Sequence, residues 1–132
     1  MNAPAVDFVD MLEAESNLDL EFKANLFVGY EPATPDNCVT IFDPPGRSPE
    51  VTLEGNPHFY RPSVQVRVRN KSYLLGYDLI SGIVRALHGR GPELWNGTTY
   101  CSIICTSDPA LLDWDANGRA RFIANFNITR RI

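Results

Sequence analysis

No apolar stretch of this 132-residue sequence approaches the roughly 18 residues of a membrane-spanning helix. Its opening, MNAPAVDFVDMLEAE, is acidic where a secretory signal is basic, so the chain is expected to stay in the compartment of its synthesis. Cysteine is scarce. Cys38, Cys101 and Cys105 are an odd number at no metal-ligand spacing, which argues against a disulfide framework and fits buried thiols in a reducing compartment. Basic residues are almost missing from the first half: residues 1–57 hold eleven Asp and Glu against Lys23 and Arg47, whereas residues 58–132 hold ten Lys and Arg against five acids. The overall charge of -4 thus conceals two halves of opposite sign, an arrangement that suits one protein surface meeting another.

Catalytic signatures are missing as well. There is no G-x-G-x-x-G, P-loop or G-x-S-x-G motif. His58 and His88 stand at no triad or metal spacing from an acid or cysteine, and His88 falls in the last turn of a helical pattern, where the helix dipole favours a capping imidazole. Gly89-Arg90-Gly91-Pro92 follows that helix rather than preceding one, so it cannot aim N-terminal amides at a phosphate. Asp113-Trp-Asp115-Ala-Asn117-Gly118 copies the opening of a calcium loop, but Ala124 occupies the place of the bidentate acid, which leaves an Asx-type turn. No enzyme activity, cofactor or metal is therefore expected. The basic set Arg61, Arg67, Arg69, Lys71, Arg121, Arg130 and Arg131 admits a nucleic-acid reading, but no aromatics interleave with it, and a match to an acidic protein face is favoured.

What is present reads as one domain with a packed core, since 44% of the residues are hydrophobic. Ala5, Phe8, Val9 and Leu12 form a helical stripe over 4–15, with Asp7, Asp10 and Glu13 off it. Leu18, Leu20, Phe22, Ala24 and Leu26 alternate with polar residues, predicting a strand to residue 28, and a short strand follows at 38–42. Residues 44–62 contain five prolines and read as a long loop or arm. Over 63–70, Val64, Val66 and Val68 point one way while Gln65, Arg67 and Arg69 point the other. Ser72 caps a helix over 73–88 whose stripe is Tyr73, Tyr77, Ile80, Val84 and Leu87, widened by Leu79 and Ile83 and ended by Gly89. Gly76 and Gly82 within it predict close packing on a neighbouring backbone. Strands are expected at 98–107 and 119–132, joined by a turn-rich connection. The fold class is α+β, with a mainly antiparallel sheet of four to five strands flanked by two helices.

Several of these segments together resemble a known family. The run Arg61-Pro-Ser-Val-Gln-Val-Arg-Val-Arg69, then Tyr73, Gly76-Tyr77 and Ala86-Leu-His-Gly89, resembles the minor capsid or tail terminator family of long-tailed bacteriophages. So do Ser107-Asp-Pro109, Asp115-Ala-Asn-Gly-Arg119 and Phe122-Ile-Ala-Asn-Phe-Asn-Ile-Thr-Arg130. The resemblance covers 61–132 and is carried by the ordered set rather than by one motif. It implies a structural virion subunit that forms a homohexameric ring at the head-proximal end of the tail. Such a ring ends tube growth and joins the tail to the head connector. The implied partners are further copies of the chain, the tail tube protein and a connector or stopper protein, with genome DNA passing the lumen without specific binding. A stopper protein of the neck is the near alternative and a small nucleic-acid-binding domain the distant one. On this reading Arg67, Arg69, Arg121, Arg130, Arg131, Asp7 and Asp10 are the candidate interface residues, the arginines facing acidic partners and the acids lying near the lumen or against a neighbour.

Overall fold

The computed structural model describes residues 1–51, 53 and 59–132. Ala3 holds an extended conformation and Pro4 opens α1 (Pro4–Glu13), whose stripe of Ala5, Phe8, Val9 and Leu12 is buried together with Met11. The alternation that follows does not make the expected strand. A short 3-10 turn covers Ser16–Leu18, and only Leu26–Val28 is extended, as β1. The cause is local. The Asn25 side chain accepts the Glu21 N–H at 2.8 Å and donates to the Asp19 carbonyl at 3.0 Å, folding 19–25 into a turn in which Asp19 and Lys23 take positive φ.

The chain continues through β2 (Cys38–Phe42), β3 (Arg47–Glu50), β4 (Phe59–Arg61), β5 (Ser63–Asn70), α2 (Tyr73–Leu87), β6 (Glu93–Trp95), β7 (Thr98–Cys105), β8 (Ala110–Trp114) and β9 (Ala120–Arg131). The sheet has nine strands among the described residues, not four or five. It is antiparallel except for the β1–β2 pair. The twelve-residue β9 is its axis, with β5 and β4 along one side and β7 and β8 along the other. The additional strands β3, β4, β6 and β8 are too short to show alternation; pairing to distant partners extends them, which no local pattern encodes.

The proline-rich stretch is accordingly a paired hairpin at its base rather than only a loop: Arg47 registers with Arg61 and Glu50 with Phe59. Gly46 anchors it, because a Cβ there would stand 2.4 Å from the Arg61 carbonyl oxygen. The tip, with His58, lies outside the described residues.

Both helices pack on one face of the sheet. Val64, Val66 and Val68 pair with Phe126, Ala124 and Phe122, and this apolar layer is fully buried. The ring of Phe8 meets Phe126 edge-on, placing α1 there. Ser72 accepts the Leu75 N–H at 3.3 Å as expected; at the other end His88 is the C-cap and turns extended, and Gly89, at φ +82, sends its N–H to the Ile103 carbonyl at 2.8 Å rather than back to its own helix. The buried stripe of α2 is Gly76, Ile80, Ile83 and Leu87. Tyr73 and Tyr77 remain nearly half exposed, turned about the helix axis from the expected stripe because Gly76 admits the Phe122 ring. A Cβ at Gly76 would meet that ring at 2.9 Å. At this C-cap the His88 imidazole serves the sheet instead of the helix dipole: Nδ1 accepts the Cys105 N–H at 2.9 Å and ties the helix end to β7.

Candidate assembly surfaces

Strand alternation sends the polar side chains of β5 and β9 to the face opposite the helices, and no described element covers their central part. Across this face Ser63 meets Asn127, and Gln65 Nε2 donates to Asn125 Oδ1 at 3.1 Å. Arg67 donates to Gln65 at 3.2 Å and lies 4.9 Å over the Phe42 ring. Arg61 donates to Thr129 at 3.0 Å and to Glu50 at 2.7 Å, fastening the hairpin base to the same face. Such a ladder of amides, hydroxyls and guanidinium groups can bind a second polar surface.

At the far end of this face the segment 31–36 folds back over the sheet. Arg69, 2% exposed, pairs with Glu31 at 3.3 Å and donates to the carbonyls of Pro35 at 2.7 Å and Asp36 at 3.2 Å. Arg121 reaches the same Glu31 oxygen at 3.1 Å and Asp113 at 3.3 Å. Arg119 binds Asp115 at 2.6 Å, the Ala33 carbonyl at 2.7 Å and Asp36 at 3.2 Å, and Lys71 closes the set on Asp36 at 3.1 Å. Acids of the first half thus neutralise bases of the second inside one subunit, as buried guanidinium groups require. Asp115 also accepts the Asn117 and Arg119 N–H groups at 3.0 and 2.9 Å, which is the expected Asx turn.

Burial would raise the Asp115 carboxyl, but the hydrogen bonds from Arg119 and Asn117 overrule it and hold it below the ordinary value. The Lys71 ammonium, with help from Arg119, lowers Asp36 likewise. A lowered native value means stability present above 3.8 and lost as pH falls through the native value. Urea midpoints measured down a pH series should therefore drop below 3.8, and less steeply in Asp115→Asn. Superimposable acid limbs would show that this network contributes nothing.

Asp7 lies off the apolar stripe of α1 yet is fully buried, because the curled sheet brings the start of β7 over that side. It accepts the Tyr100 hydroxyl and the Asn96 amide, the latter at 2.7 Å, and Asn96 also reaches Asp10 at 2.8 Å. Arg130 stands 3.8 Å from Asp7 and donates to the Asn2 carbonyl at 2.8 Å and the Tyr100 oxygen at 3.2 Å. Burial, then the Asp7 carboxylate, pushes the Tyr100 phenol well above its ordinary value. That raised value adds stability that is complete below 10.0 and declines as pH rises beyond it, so Tyr100→Phe should flatten the alkaline limb of the same series.

The candidate interface residues therefore divide. Asp7, Arg69 and Arg130 are spent within the subunit, since each is buried with internal partners, and they are not available to a neighbour. Arg121 is largely committed to Glu31 and Asp113. Arg67, Arg131 and Asp10 remain partly exposed. Sequence reasoning missed Glu31, Asp36, Arg119 and Tyr100; the opposite charges of the two halves were the available signal, read as pointing outward when they pair inward.

No curated protein matches the sequence. A chain of the virion of a native gene transfer agent particle shares the fold, with a TM-score of 0.70 at 9% identity over 98% of this chain and 97% of that one. The family described as bacteriophage tail terminator protein matches residues 10–132, extending across the hairpin to the end of α1 the likeness that the sequence showed only from residue 61. The chain belongs to the bacteriophage tail terminator family, a family of structural phage tail proteins.

Proposed function

We propose that this tail protein forms a six-membered ring at the head-proximal end of the tail, ends tube growth there and joins the tail to the head connector. The observation that supports the reading, beside the family, is a sheet with helices on one face and an uncovered ladder of Ser63, Gln65, Arg67, Asn125 and Asn127 on the other. A polar face of this kind suits a second protein ring. Arg67 and Arg131 meet acidic partner faces, while the exposed Asp19 and Glu21 face the lumen and repel DNA phosphates, so the genome passes without specific binding. The proline-rich stretch 44–62, held at its base by the β3–β4 pairing, docks on a neighbour.

Light scattering on the purified protein, alone and with tail tube protein, is expected to give a mass six times the 14.8 kDa of the chain and to show capped tubes. A monomer under both conditions would overturn the ring. Binding to the connector without capping of tubes would overturn the terminator role in favour of a stopper. Paired reversal of Arg67→Glu and Arg131→Glu should weaken assembly with tube protein, most at low salt, where exposed charges are least screened. Normal assembly with loss of DNA retention would instead place these arginines on the genome.

A further inference from the structure

Two apolar features lie at opposite edges of the sheet. Along the row β1-β2-β5-β9-β8, β8 forms one edge and β1 the other. At the β8 edge the start of α2 and β8 raise an aromatic ridge: Tyr73 stacks on Trp114 at 6.2 Å, flanked by Leu74, Tyr77 and Leu111. Leu74 is 73% exposed and Trp114 51%. Tyr73 and Tyr77 turn one edge to the buried Phe122 ring and leave the rest in solvent, and so large an exposed apolar cluster marks a contact surface. At the β1 edge a groove of about 340 Å³ opens between α1 and β1, floored by Val6, Val9, Phe22 and Val28, with Asp10 and Glu13 at its rim.

We infer that the ridge of one copy seats in the α1 groove of the next, making the lateral contact of the ring. This rests on the ring reading above and names the surfaces that would close it. The occupant is a second copy for three reasons. Ridge and groove are both apolar and differ in shape, one convex and one concave, so neither is complementary to itself. They stand at opposite edges, the placement that head-to-tail closure needs and that a two-fold contact does not. The charges also match: Asp10 and Glu13 line the groove, while the ridge rises at the positive N-terminal end of α2.

The test uses full-length chains carrying Leu74→Asp on the ridge or Val6→Asp in the groove, each checked for a parental melting curve. Trp114→Ser and Phe22→Ser serve as second variants should either be unstable. If the contact is right, each variant alone is monomeric by light scattering under conditions where the parent forms rings. An equimolar mixture then gives a dimer, because the intact groove of one variant accepts the intact ridge of the other. Rings formed by either variant would overturn this contact while leaving the ring reading intact. Rings that form but no longer cap tubes would reassign the ridge to the tube protein and likewise overturn it. A parent that is monomeric with and without tube protein would bring down the ring reading, and this contact with it.

Discussion

Val66→Asp is expected to cost the subunit a large part of its stability. Val66 is fully buried in the apolar layer, in register with Ile41 on one side and Ala124 on the other, under the helices. An Asp there puts a carboxyl group where no donor is within reach, and it must either protonate or drag water into the layer. The expected loss is on the order of 4–5 kcal/mol, at the upper end of single-substitution effects. That is comparable with the whole stability of a domain this size, about 5–15 kcal/mol. Val66→Ala, which only removes methyl groups, should cost about 1–3 kcal/mol. Equilibrium urea denaturation followed by circular dichroism separates the two. A Val66→Asp protein melting with the parent would mean that the valine face of β5 is not the core.

Asp7→Ala should be nearly as damaging for a different reason. It deletes the acceptor of Tyr100 and Asn96 and leaves the Arg130 guanidinium buried without a carboxylate. Breaking one side of a buried ionic cluster costs about 3–5 kcal/mol, mostly as the penalty of the charge left behind. Arg130→Met alone should cost less, because Asp7 keeps its Tyr100 and Asn96 donors. The double variant should then be markedly more stable than the sum of the two single losses, since it buries neither charge alone. Strict additivity in a denaturation cycle would mean that Asp7 and Arg130 do not interact.

The elements readable in the sequence are those whose own period is long enough to declare them. β5 and β9 alternate over whole strands, α2 carries a cap at Ser72 and a positive-φ glycine just past its C-cap, and the Asp115 turn needs only neighbours in the chain. Position within α2 was harder, because Tyr73 and Tyr77 look like stripe residues until Phe122 fills the space over Gly76. The 18–28 segment shows the opposite failure: a clean alternation was overridden by the side-chain bonds of one asparagine, Asn25.

By itself, then, the sequence determined the helical and long-strand elements, the inward valine face and, through an ordered set of short motifs, the family. Tertiary structure alone decided which charges are available to a partner. Asp7 and Tyr100 stand 93 residues apart in the chain, and Arg119 meets the Ala33 carbonyl across 86. Burial, not composition, determines whether such groups must find each other. A guanidinium or carboxylate taken out of water requires a counterpart at hydrogen-bond distance, and only the curl of the sheet around β9 decides which residues can supply it.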